Sequence, residues 1–289
     1  MNRVRHRSGL RVLAIALAVL FLSAFVSAQK APAQIKRTTF RTETVDFAPG
    51  GSVSVMGAPI GSVSITGSPS NKVVIEATIE FTADSPAALD KLSEVTGFAT
   101  EVSAGRIIIR SLGTSDKAYV KRASNDFPRT LLARPTRIDY TISVPAATDL
   151  QIDGGSGDLA IADVFGAIRI SFLETNARIE PLGGALAATI GSGSVVLTVP
   201  DKTLPGASFD VAMASGTLDV LMSRSLNAEL DAAILRSGKI RSDISGITTL
   251  DAEDHILKAK LGSGGTDLRF TLGAGTLTFA IAPPRGSRP

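Results

Sequence analysis

The chain has 289 residues, 44% of them apolar, with 5% aromatics, no tryptophan and no cysteine. The absence of cysteine excludes disulfides, thiolate metal sites, thiol catalysis and lipid attachment at a lipobox cysteine. The formal net charge of +3 comes from the N-terminus, so it is no argument for nucleic-acid binding.

Arg3, Arg5, Arg7 and Arg11 form a basic start, Val12 to Phe25 an apolar run, and Val26-Ser27-Ala28 a small-residue site. This is the pattern of a secretory signal peptide, with cleavage expected after Ala28. The run is short for a membrane span, and no second long apolar run follows. Without residues 1–28, Lys plus Arg falls from 30 to 26 against 27 acids, a net of −1. The remaining chain of about 261 residues suffices for one elongated domain or two compact ones. It is expected to be soluble and to build its core from Val, Ile, Leu and Ala.

Residues 29–37 read as a flexible leader. In "GSVSVMGAPIGSVSITG" (Gly51–Gly67), Val53, Val55, Val63 and Ile65 share one side and Ser and Thr the other. That is strand alternation broken by bends. "KVVIEATIEF" predicts a longer strand. "SPAALDKLSEV" predicts a helix within residues 85–97, the only one expected after the signal peptide. Ser85 is its cap, Pro86 its first residue, and Leu89, Leu92 and Val95 its apolar stripe. "GRIIIRSL" returns to strand. Residues 113–137 read as a long polar loop or insertion, and "RIDYTISVP" as a further strand. Residues 283–289 read as a disordered tail.

From Leu150 onward one pattern recurs: apolar-x-apolar, three spacers, a small residue, Gly, x, apolar-x-apolar. It fits at Leu150, Ile168, Leu186, Phe209 and Leu268, and all twenty apolar slots of the five copies hold apolar residues. The Gly slot holds Gly157, Gly193, Gly216 and Gly275, with Thr175 the exception. Two looser units follow the same plan. Leu230–Ile240 is one residue longer, and Leu250–Leu257 is shorter and lacks a glycine. A period near 20 residues predicts a stacked architecture, in which each coil hides its apolar face against the next. The fold class expected is all-β, a parallel β-solenoid or β-roll of short coils of about 20 residues over 138–282, in a single domain spanning 38–282. A compact two-sheet sandwich is the alternative.

These residues resemble a known family. "TFRTETVDFAPGGSVSVMGAPIGSVSITGSPSNKVVIEA", then "GRIIIRS", then "IDYTISVPAATDLQIDGGSGDLAIAD", are similar to the pattern of the bacterial putative-adhesin domain family, a large family of exported proteins of unknown function. The resemblance covers roughly residues 38–282. Two features depart from the family pattern: the length of 113–137 and the missing glycine between Asp251 and Lys260. The resemblance implies a right- or left-handed parallel β-roll at the cell envelope. It implies no catalytic or ligand residues.

Site chemistry is sparse. The glycine clusters, such as "GGSGD" (Gly154–Asp158), precede strands, whereas a phosphate loop needs a helix N-terminus. Asp158 is replaced by Asn176, Ser194, Thr217 and Thr276 at equivalent slots, which argues against a calcium repeat. After the signal peptide the sole histidine is His255, and one histidine makes no multi-histidine metal site. Asp149, Asp153, Asp158 and Asp163, or Asp251, Glu253 and Asp254, are the carboxylates that could cluster for sugar chemistry. The reading is solvated acids, with no catalytic residue, metal or cofactor. Arg106, Arg110, Lys117, Lys121, Arg122, Arg129, Arg134 and Arg137 face only Asp116 and Asp126, a local net of +6. The rest of the mature chain carries −7. Such a segment fits either a solvated loop paired with acids elsewhere or a patch for anionic polymers or lipid head groups. The function expected is a non-enzymatic, exported interaction or scaffold module, periplasmic or on the cell surface. Its partner would be an envelope protein or polysaccharide. The alternatives are an extracytoplasmic stress-sensing module and a carbohydrate-active enzyme.

Overall fold

The computed structural model describes residues 34–201, 206–244, 248–253 and 255–283, with side chains at 58–59 and 248–253 left aside. The expected signal peptide and most of the tail lie outside the described residues.

Strand formers dominate. Before the long strands come β1 (Ile35–Asp46), β2 (Ser52–Ile60), β3 (Val63–Ser68), β4 (Lys72–Ala83), β5 (Gly97–Ser103), β6 (Arg106–Leu112), β7 (Thr136–Pro145), β8 (Asp149–Ser156) and β9 (Leu159–Ala162). Then come β10 (Phe165–Glu180), β11 (Gly183–Thr198), β12 (Ser208–Met222), β13 (Ala228–Ser242), β14 (Thr248–Glu253), β15 (Ile256–Leu261) and β16 (Thr266–Ile281). β1 starts inside the stretch read as leader. All sixteen strands join one hydrogen-bonded sheet. The protein is all-β as expected, but the sheet is mixed. Its middle is parallel, from β2 and β3 through β8 to β13. Antiparallel pairs stand at the ends: β1 with β4, β4 with β7 and β5 with β6, and at the other end β13 with β15 and β15 with β14.

Each long strand bends in its middle and serves two ladders. The first part of β10 pairs with β8 and its last part with β9. Strand alternation then turns one face of each arm inward. Leu150, Ile168, Leu186, Phe209 and Leu268 lie in register on neighbouring strands, and so do Ile161, Ile179, Leu197, Val220 and Phe279. All twenty apolar template positions are buried. The two arms meet across one core, where Phe270 of the first and Phe279 of the second have ring centroids 5.7 Å apart. Near the other end Phe98 and Tyr140 stack edge to face at 5.9 Å. Burial pushes the Tyr140 phenol up to about 12, so it stays neutral and hydrogen-bonds Ser111 Oγ at 2.8 Å.

The bend explains the glycine slot. Gly216 has φ +127°, and a Cβ there would lie 2.0 Å from the carbonyl oxygen of Gly193 in the adjoining strand. Thr175 breaks the glycine column; it is buried, and its hydroxyl has no hydrogen-bond partner among the described residues. In "GGSGD", Gly154 leaves room for the Phe172 ring, whose Cζ would stand 2.3 Å from a Cβ at that position.

Two findings correct the sequence reading. First, the strands do not stack in chain order. β16 lies between β12 and β13, and β14 and β15 form an antiparallel hairpin beyond β13 in place of a further coil. The outward column Asp210, Arg269, Asp231, Lys258 alternates in sign across β12, β16, β13 and β15, with Arg269 Nη1 3.9 Å from Asp210 Oδ2. Direct pairing of β12 with β13 would set Asp210 against Asp231, and like charges opposite each other repel. The extra residue of the Leu230 unit is a bulge between Ile234 and Ser237. Second, the described residues hold two α-helices, not one. α1 (Pro86–Val95) matches expectation, capped by Ser85, whose hydroxyl accepts from the Ala88 N–H at 3.2 Å, and it buries Leu89, Leu92 and Val95. α2 (Lys117–Ala123) lies in the supposed loop. The Asp116 carboxylate caps it by accepting from the Tyr119 N–H at 2.9 Å, and Lys121 and Arg122 complement the dipole of its last turn. Among the described residues no helix is long and apolar enough to cross a membrane.

Gly216→Ala is expected to cost about 3 kcal/mol or more in urea unfolding, from clash and strain together. Gly105→Ala, with φ +69° and open space around the new Cβ, is expected to cost only about 1 kcal/mol. Arg269→Asp places three acids in a row and is expected to cost about 1 kcal/mol at low salt, a loss that added salt reduces.

Candidate functional site

Outside the core, an apolar groove opens on the surface of the described residues. Phe172, Ile190, Met213, Leu272 and Ile234 form a buried row across β10, β11, β12, β16 and β13. The next residue on each strand is Leu173, Gly191, Ala214, Gly273 or Leu235; Leu173, Ala214 and Leu235 are exposed, Gly191 is half-buried and Gly273 is buried. The column is large at its ends and small between. Leu173 and Leu235 are 73% and 70% exposed, and they rim a groove of about 510 Å³. The floor is bare for a backbone reason: a Cβ on Gly273 would lie 2.4 Å from the Ala214 carbonyl oxygen. The bulge in β13 adds Arg236 beside Leu235, and its Nη2 would stand 3.2 Å from that same Cβ. The guanidinium therefore lies over the floor, and no ion pair holds it among the described residues. Sequence reasoning missed the groove because Leu173 and Leu235 occupy spacer slots. The signal was there: the other copies hold Gly155, Gly191, Ala214 and Gly273 in that slot.

The eight basic residues of the 106–137 segment fall on several elements. Arg106 and Arg110 point outward from β6, alternating with buried Ile107 and Ile109. Lys117, Lys121 and Arg122 lie on α2 and Arg129 on a 3-10 turn, Arg129–Leu131. Three of the eight are paired. Arg110 Nε lies 3.6 Å from Glu101, Arg134 Nη2 3.2 Å from Asp84 and Arg137 Nε 2.8 Å from Asp139. Lys117, Lys121, Arg122 and Arg129 are exposed and make no ion pair among the described residues. The two acids of the segment are engaged elsewhere. Asp116 caps α2, and Asp126 binds Lys91 Nζ at 3.1 Å.

Asp139 does more than neutralise Arg137. Its Oδ1 accepts from both the N–H and the hydroxyl of Ser62 at 2.7 Å, fastening the turn beside Gly61. Burial pushes its pKa up, but hydrogen bonds from Arg137 and from the Ser62 hydroxyl and N–H outweigh this and leave it lowered.

The acids weighed for sugar chemistry have local structural partners. Asp149 Oδ1 accepts from the Ala167 N–H at 2.7 Å, Asp153 from Gln151 at 3.1 Å, and Asp158 from Asn176 at 3.2 Å. Asp163 occupies a turn with φ +59°. His255 is exposed at the turn between β14 and β15, and its carbonyl accepts from the Ile234 N–H. The side chains of Asp251, Glu253 and Asp254 lie outside the described residues. Among the described residues no three His, Cys, Asp or Glu side chains are grouped to hold a metal ion.

No family model matches the chain, and no curated protein matches it. Among solved structures it is similar to a putative cell adhesion protein from Clostridium sporogenes, with 12% identity, 84% of this chain and 100% of that one covered, and a TM-score of 0.48. A putative adhesin from Bacteroides fragilis follows, with 12% identity, 83% and 97% covered, and a TM-score of 0.26. Another, from Parabacteroides distasonis, has 10% identity, 83% and 97% covered, and a TM-score of 0.24. At these identities and TM-scores the likeness assigns neither a family nor a function.

A carboxylate whose folded pKa is lowered stabilises the fold at neutral pH and loses that contribution as pH falls below its unfolded value, about 3.9, and through its folded one. Asp139→Asn is therefore expected to be less stable than the parent at pH 7, and the gap is expected to narrow below about pH 4. Urea unfolding of both proteins across that range checks it.

Proposed function

We propose that this is an exported, non-enzymatic protein of the cell envelope, an interaction or scaffold module whose parallel rungs wind as a β-solenoid or β-roll. Its basic segment binds an acidic envelope polysaccharide. Export rests on the signal pattern of residues 1–28. The solenoid reading rests on the in-register parallel ladders and on the two arms that meet across one core.

The observation that carries the binding reading is the set Lys117, Lys121, Arg122 and Arg129. These four cations are exposed on one short helix and the turn after it, without ion pairs among the described residues. Lysines at 117 and 121 are one helical turn apart and share a face. Spaced charges of one sign on an exposed element attract a polyanion and steer its approach. Arg106 extends the positive surface along β6, while Arg110, Arg134 and Arg137 are paired with Glu101, Asp84 and Asp139.

Binding of the mature chain to a soluble polyuronate, followed by calorimetry, tests this. The expected result is an affinity that falls steeply between low and physiological salt. Replacing Lys117, Lys121, Arg122 and Arg129 together by Gln is expected to weaken it about tenfold or more, with cooperative unfolding retained and only a small fall in midpoint from the lost charges at the end of α2. Equal binding by parent and variant would remove the reading.

A further inference from the structure

We propose that the groove between Leu173 and Leu235 is a binding site for a single fatty-acyl chain, whose carboxylate pairs with Arg236. The site is separate from the basic segment and stands without it.

The shape comes first. The column has one residue per strand over β10, β11, β12, β16 and β13, so Leu173 and Leu235 are four inter-strand steps apart, about 19 Å at about 4.8 Å per step. The groove runs across the strands, floored by Gly191, Ala214 and Gly273, closed at its ends by Leu173 and Leu235, and flanked on one side by Ser171, Thr189 and Thr271 with Ala212. Its volume of about 510 Å³ falls within the range of about 300–1,000 Å³ usual for small-molecule sites. A long, narrow, apolar trough suits an unbranched chain better than a compact ring system.

The chemistry narrows the occupant further. An extended peptide would bring an N–H and a C=O at every residue, each needing a partner. On either side of the column the strands pair with one another, Phe172 with Ile190 and Glu174 with Ser192, and a ligand lying across them meets side chains and not an open strand edge. A polymethylene chain needs no such partners. The one strong polar group aimed over the floor is the Arg236 guanidinium, which has no acid of its own among the described residues and sits at the β13 end. A guanidinium matches a carboxylate in two-point geometry. The two rim leucines have no packing role to explain them, since both project into solvent, and covering them is favourable by the area removed from water.

Calorimetric titration of the mature chain with palmitate and with hexadecanol, below the concentrations at which either aggregates, tests the proposal. Palmitate is expected to bind at one site per chain. Leu173→Ser with Leu235→Ser is expected to weaken both ligands about tenfold or more. Arg236→Gln is expected to weaken palmitate by a similar factor and leave hexadecanol unchanged. Polyuronate binding is expected to persist in all these variants, so failure here is distinguishable from failure of the basic segment. Absence of palmitate binding, equal affinity in parent and leucine variant, or binding to phosphatidylglycerol vesicles without binding of free palmitate would each overturn it.

Discussion

Everything in this fold depends on how closely adjacent strands approach where the long strands bend. At Gly216 even a methyl group would overlap the carbonyl of Gly193, so the bend tolerates almost no side chain. Glycine there permits both the left-handed backbone and the contact. Once the bends superimpose, the apolar rows on either side fall into register, and each row buries the next. The register is therefore specified twice, by backbone fit at the turn and by the alternation of buried and exposed residues along each arm. Thr175 shows the tolerance of the arrangement: one non-glycine member is accommodated, with a buried hydroxyl that finds no partner among the described residues.

Charge adds to what packing specifies. The buried rows of β12, β16 and β13 differ in size, with Ala232 of β13 beside Phe270 of β16. The outward column favours the same order, because Arg269 belongs between Asp210 and Asp231 and Lys258 beyond them. These residues are exposed and each pair is individually weak. They serve discrimination between alternative orders, which requires only that the wrong order be worse.

Much of this was legible in the sequence. The apolar slots and the bend glycines are local and periodic, so their spacing alone sets the rungs in register. α1 announced itself by Ser85, Pro86 and a three-residue stripe. α2 did not, because only Val120 is buried along its seven residues, and a single buried residue makes no period. The position of β16 was illegible for a different reason. Its partners are distant in the chain, and strand order is a nonlocal property that a repeat template assumes to be sequential. The groove sat in plain view as two leucines in a slot otherwise filled by glycine and alanine. A template built to find what recurs discards what varies, and surface function resides in the variation.

The intercalated strand has a consequence in time. A chain emerging from its N-terminus presents β12 and β13 well before β16 exists, and in that interval their outward acids discourage them from joining. The ladder thus waits, split, for a late segment to slot in and complete it.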